Sequence, residues 1–227
     1  MRFLNVLKAD IAFQYRYGFY FVYGLFTLVY STVLQLLPEA WKVRAAMIMI
    51  YSDPAILGLF FMGAIVQFEK DEHTLHSLAV SPLNVEEYVL SKLCSLSCIA
   101  VLVALGIAGF GTIIENPLRI GSTVFIGSCL FSAIGLVVAT RAQTLNRFIL
   151  ATIPWLLIIT LPALVYIVRP DSVWMLLHPG ISLIEICLFG NHLLGATISL
   201  LLWTIVVLWF SIKSTKVFFH TLGGVKR

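Results

Sequence analysis

Charge is what this sequence has least of. Of its 227 residues 11% are charged and 60% hydrophobic, and the mean hydropathy is +0.98. A soluble domain carries about a quarter charged residues, so the shortage excludes an ordinary water-solvated enzyme. The apolar majority excludes a disordered chain. Catalytic signatures are lacking too: there is no G-x-x-x-x-G-K-[ST] phosphate loop, no His-Glu-x-x-His and no Gly-x-Ser-x-Gly elbow. The four cysteines (Cys94, Cys98, Cys129, Cys187) sit inside apolar runs without a Cys-x-x-Cys pair, as small buried hydrophobes do. His73 and His76 share a face but have no third ligand, and with His178 and His192 they read as solvated loop residues. No catalytic, cofactor-binding or metal-ligating residue is expected, and no nucleic-acid partner.

What the chain has in abundance is long charge-free runs. They cover about 19–37, a second run ending at Phe68, then 93–114, 120–140, 148–168 and 193–212. Each of the clear ones approaches the ~20 residues that cross a bilayer as a helix. None shows the ten-residue alternation of a membrane β-barrel. The expectation is an all-α polytopic membrane protein, a single transmembrane domain over 1–227 with six spans, lying in the lipid bilayer of a cell membrane. No cleavable signal peptide is expected, because the first apolar run is too long and no small-residue cleavage site follows it.

The basic residues orient the spans. With six crossings one side receives Arg2, Lys8, Arg16, Lys70, Lys92, Arg141, Arg147, Lys213, Lys216, Lys226 and Arg227, and the other only Lys42, Arg44, Arg119 and Arg169. The positive-inside rule then puts both termini in the cytoplasm.

Three segments are too polar or too broken to span. Over 1–18, Phe3, Leu4, Leu7, Ile11 and Tyr15 make an apolar stripe with Arg2, Lys8 and Arg16 off it, the pattern of an amphipathic interfacial helix. It either anchors the chain or touches a cytoplasmic partner. The connection 69–92 opens with a polar cluster, Glu69 to Thr74, and then sets Leu75, Leu78 and Ala79 on one helical face before Ser81-Pro82 stops the helix. Asn84 and Glu87 have capping-box spacing for the next span. Such a surface helix suits docking to a cytoplasmic protein. The stretch 172–191 is apolar but broken at His178-Pro179-Gly180, which predicts a re-entrant or half-inserted extracellular hairpin between spans five and six. Its Glu185 is either an interfacial carboxylate or part of an exit path. Asp53 before Pro54 has the pattern of a helix N-cap, the alternative being a role on the path, and 40–52 then forms an outer interfacial helix. Pro154 and Pro162 are expected to kink the fifth span.

Taken together, the six-span topology, the N-terminal helix, the broken hairpin and the loop F-E-K-D-E-H-T-L-H-S-L-A-V-S-P-L-N-V-E-E-Y-V-L-S-K-L resemble a type 2 ABC exporter permease, most of all the small fluoroquinolone-type drug export subgroup. Glu69, Thr74, Leu75, Ser81, Pro82, Leu83 and Lys92 carry the resemblance. One departure is His73, where the family often has glycine before Thr-Leu. The resemblance implies a prokaryotic plasma-membrane permease subunit, not itself an enzyme, paired with a second permease chain. A separate ABC ATPase subunit would bind ATP and magnesium and grip a coupling helix at about 71–80. Glu69, Asp71, Thr74, Leu75, Leu78 and Pro82 become the coupling residues, and the cargo is an amphipathic or hydrophobic drug, lipid or peptide. A haem-exporter-like permease and a non-transporting membrane scaffold are the alternatives.

Overall fold

The computed structural model describes residues 2–53, 57–75, 83–110, 116–168, 173–189 and 191–222. Among them all regular structure is helical. In order these are α1 (Arg2–Arg16), α2 (Phe19–Leu36), α3 (Glu39–Ser52), α4 (Gly58–Asp71), α5 (Val85–Phe110), α6 (Pro117–Arg141), α7 (Leu145–Val168), a 3-10 turn (Val173–Leu177), α8 (Pro179–Ile184) running into a π-helical turn (Glu185–Phe189), and α9 (Leu193–Leu222). Five of these, α2, α5, α6, α7 and α9, are long and apolar enough to cross a membrane. The run expected as the second span appears as the 14-residue α4, preceded by α3, where an outer interfacial helix was expected.

Caps explain where the helices start. The Asn84 N–H donates to Glu87 Oε2 at 3.2 Å, the back-reaching half of the expected capping box, so α5 begins at Val85, eight residues before the apolar run. Asn116 accepts from the Arg119 N–H at 3.2 Å, with Pro117 at the first helical position of α6. At the other extreme α9 runs ten residues beyond the end of its apolar run, through Lys213 and Lys216. A charge ends a hydrophobic run without ending a helix.

α5 and α6 form the centre, with more than half of each span buried, and α4 and α9 pack on α6 while α1 and α2 pack on α5. Small residues let α4 approach closely: a Cβ on Gly135 would lie 2.4 Å from the Leu59 carbonyl oxygen, and one on Gly58 3.0 Å from Ser132 Oγ. Between apolar helices in lipid, close packing of this kind supplies much of the association energy. By contrast α7 and α9 are largely unburied and barely touch each other.

The hairpin between them does structural work that a solvated loop would not. Pro162 has no N–H to give the Ile158 carbonyl one turn earlier. His178 Nε2 lies 3.1 Å from that oxygen, and Tyr51 donates to the next carbonyl, Ile159, at 2.8 Å. Burial holds the His178 pKa below its ordinary value, favouring the neutral ring with Nε2 as donor. On the other side Trp203 Nε1 donates to the Leu177 carbonyl at 2.8 Å. His178 is thus a clasp between the hairpin and a proline-containing helix, which corrects its reading as a solvated residue.

The close approach at Gly135 is testable. Gly135→Ala is expected to lower the melting temperature in detergent, by about 1–3 kcal/mol of overpacking. Gly195→Ala, inside α9 where a Cβ would meet nothing within 4 Å, should hold the melting temperature or raise it slightly.

Candidate functional site

The densest polar chemistry lies at the base of the 72–84 connection. Lys92, on α5, is 1% exposed, and its ammonium meets Glu69 Oε1 of α4 at 2.5 Å and Asp10 Oδ1 of α1 at 2.9 Å. The second oxygen of each carboxylate is also occupied. Tyr88 O–H donates to Glu69 Oε2 at 2.7 Å, and Ser91 O–H donates to Asp10 Oδ2 at 2.5 Å. The Lys92 ammonium also faces the Tyr88 ring, 4.8 Å from its centroid. Nearby Gln14 donates to Ser95 Oγ at 2.7 Å, a second α1–α5 bond. Burying three charges costs several kcal/mol per ion, and only such complete pairing repays it.

The next residue works in the opposite direction. Lys70 donates to the carbonyls of Ala139 and Ala142, both at 2.7 Å, and so caps the C-terminus of α6, where unpaired carbonyls and the helix dipole favour a cation. Its ammonium also sits over the Phe218 ring of α9 at 4.7 Å. Phe219 packs on Tyr88 with ring centroids 5.1 Å apart, and Lys216 pairs with Glu86 at 2.5 Å. Adjacent residues at the end of α4 therefore tie it to α5 through Glu69, and by way of Lys92 to Asp10 of α1, and to α6 and α9 through Lys70.

The connection leaves this hub by a sharp turn. Glu72 N–H donates to the Phe68 carbonyl and His73 N–H to the Lys70 carbonyl, and His73 takes φ 58°. That left-handed conformation suits glycine and strains other residues, which gives the physical reason for glycine in the resembled pattern. Thr74 O–H then donates to the Glu69 carbonyl at 3.1 Å, and the backbone is helical again at Thr74 and Leu75.

The expected coupling residues separate into groups. Asp71 and Glu72 are exposed and Thr74 is half-buried. Glu69 and Leu75, at 7% and 1% exposure, are buried in the chain's own core. A surface that meets a partner cannot include them: Glu69 is needed to neutralise Lys92, and Leu75 fills the core below the turn. Leu78 and Pro82 lie outside the described residues.

The two carboxylates at the other positions differ sharply. Glu185 is buried and satisfied, accepting from Tyr166 O–H at 2.7 Å and from the His192 N–H at 3.0 Å, so it staples the hairpin to α7 and to the approach to α9. Asp53, fully buried where α3 ends, has helical dihedrals (φ −62°, ψ −58°) in place of the extended ones usual at an N-cap. Neither of its carboxylate oxygens has a hydrogen-bond partner among the described residues.

Comparison with known proteins bears on what such a helical bundle is for. A model of the fluoroquinolones export permease protein family matches residues 1–206. The chain belongs to that family. Two relatives, the fluoroquinolones export permease proteins of two Mycobacterium tuberculosis strains, are each 28% identical over 172 residues, covering 73% of this chain and 70% of the relative.

In this permease the residues that sequence reasoning missed are Asp10, Gln14 and the buried role of Lys92. Of the α1 stripe, Leu4, Ile11 and Tyr15 are exposed while Phe3 and Leu7 are half-buried. The inward face carries Asp10 and Gln14 together with the aromatic rings of Phe13 and, just past the helix end, Tyr17. Its signal was present: Asp10 and Gln14 lie four apart on α1, as do Ser91 and Ser95 beside Lys92 on an otherwise apolar stretch of α5.

Two outcomes follow. Lys92→Met leaves two carboxylates buried and is expected to cost about 3–5 kcal/mol, read as a large drop in melting temperature. Asp10→Asn with Glu69→Gln and Lys92→Met should recover most of that loss, whereas Asp53→Asn alone should cause none. For the turn, His73→Gly relieves left-handed strain, and His73→Ala, which keeps that strain and removes the ring, should be the less stable of the two variants by about 0.5–1 kcal/mol. A lower melting temperature for His73→Gly than for His73→Ala would show that the entropy glycine adds to the unfolded chain outweighs the strain.

Proposed function

We propose that this protein is the membrane subunit of an ATP-driven ABC exporter for amphipathic drugs, fluoroquinolones among them. In this reading α4 and the residues before it complete a sixth span, and the end carrying α1 and the 72–84 connection is cytoplasmic. A second permease chain completes the translocation path, and a separate ATPase subunit binds ATP and magnesium and presses on the connection. The haem-exporter and scaffold readings draw no support from a particular feature of the fold.

The observation that supports coupling is the attachment of the connection's base. Because Glu69 is bonded to α5 and Lys70 to the end of α6, with Lys92 carrying the Glu69 contact on to Asp10 of α1 and Lys70 also contacting α9, displacement of the connection is passed to the bundle rather than absorbed by a slack loop. A nucleotide-driven partner can shift a two-state equilibrium only through contacts that differ between the states. Asp71 and Glu72 are the exposed groups placed to make such contacts, with Glu69 and Lys92 as positioning residues behind them.

The test is reconstitution with candidate ABC ATPase subunits from the same genome. Asp71→Lys with Glu72→Lys should reduce ATPase copurification and fluoroquinolone export at least tenfold while the melting temperature stays put. Unchanged copurification and export in that variant would refute the coupling surface. Failure of the parent pair to lower fluoroquinolone accumulation in cells would refute the export assignment itself.

A further inference from the structure

Where α7 and α9 fail to meet, a cavity of about 750 Å³ opens between them, floored by α6 and closed at one end by the hairpin. That volume is in the range of ligand-sized sites, about 300–1,000 Å³. Its walls are almost wholly apolar, with Trp155, Trp203 and Phe210 prominent, and all three are substantially exposed on the outer face of the bundle. Polarity is confined to its ends. The hairpin end has the single ring of His178, already engaged with the Ile158 carbonyl. The opposite end has two exposed guanidinium groups, Arg141 at the end of α6 and Arg147 in the first turn of α7. Arg147 uses one N–H on Gln143 Oε1 at 2.9 Å, and no carboxylate forms a salt bridge with either arginine among the described residues.

We propose that this cleft is a binding site for an anionic phospholipid of the leaflet on the arginine side, with the phosphate on Arg141 and Arg147 and an acyl chain along Trp155, Trp203 and Phe210. Three features argue for a lipid. Charge is complementary at one end only, which matches a molecule with a single anionic head and an apolar tail. A cargo charged at both ends would find no opposite charge at the hairpin end, where His178 offers only a neutral ring. Guanidinium groups bind phosphate bidentately, and basic pockets between membrane helices are a recognised form of anionic-lipid site. The open side of the cleft faces outward between two helices that present apolar side chains along their length, so a lipid can enter laterally.

The experiment uses the full chain with Trp41→Phe, Trp174→Phe and Trp209→Phe, so that fluorescence reports Trp155 and Trp203. The protein is reconstituted in phosphatidylcholine vesicles whose acyl chains are brominated and quench tryptophan. Unbrominated phosphatidylglycerol should relieve quenching at a several-fold lower mole fraction than unbrominated phosphatidylcholine. Arg141→Gln with Arg147→Gln should bring the two curves together, and Arg141→Lys with Arg147→Lys should retain part of the preference. Coincident curves in the parent would overturn the proposal, as would a preference that survives the glutamine variant. Absence of quenching in the parent, the signature of a second protein chain covering the cleft, would overturn it as well.

Discussion

One buried ammonium organises the basic end of this molecule. Lys92 has no water to solvate it, so its charge must be met by the protein, and the groups that meet it come from two other helices. That requirement fixes where α1 and the end of α4 lie relative to α5. The apolar packing around it could slide by a residue at modest cost, because one lipid-facing leucine resembles another. An ion triad in a low-dielectric setting cannot: a small displacement leaves a charge unpaired, at a cost of several kcal/mol. Electrostatics thus sets the geometry at this end, and close packing at Gly58 and Gly135 supports it deeper in the bundle.

The placement of Glu69 and Lys70 extends this constraint across the molecule. Consecutive helical residues point about 100° apart, so a carboxylate and an ammonium side by side in sequence reach different neighbours. Glu69 faces the α1–α5 side and Lys70 the α6–α9 side. The His73 turn and Thr74 then start directly from this junction. A force on the following segment meets a joint whose opening would expose paired charges and helix-end carbonyls together. That stiffness is what a transmission element needs, and it comes from a few polar bonds in a region otherwise held by dispersion.

Much of the architecture was legible because membranes simplify sequences: charge-free runs marked the long helices, and Asn84-Glu87 and Asn116-Pro117 marked two of their starts by capping chemistry. The hub was not legible. Asp10 and Lys92 are 82 residues apart, and periodicity along a single helix carries no information about which polar group meets which. The assumption that failed is that charge beside a membrane span belongs to water. Lys92, Glu69 and Glu185 do not follow it, each being buried and paired. On α9 the charge-free run stopped at 212, whereas the helix continues through Lys213 and Lys216 to Phe219 and the Tyr88 contact. His178 was misread for a related reason: the carbonyl that needs it was created by Pro162, and a proline's missing bond is visible in sequence while the donor that replaces it is not.

The same accounting separates a firm part of the bundle from a loose one. α5 and α6, with α1, α4 and the end of α9, share ion pairs, capping bonds and glycine-mediated approach. α7 has few such ties: besides its packing on α4 and α6, it is held by the hairpin, through His178 to the Ile158 carbonyl and Tyr166 to Glu185, and by Tyr51 of α3 to the Ile159 carbonyl. A membrane helix that moves must exchange protein contacts for lipid contacts, and the exchange costs least where contacts are fewest and apolar. A permease with two conformations has to conserve one set of contacts and alter another. In this fold the set held by charge is the one to conserve, and α7, carrying Pro162 and facing outward along most of its length, is the helix whose contacts are cheapest to change.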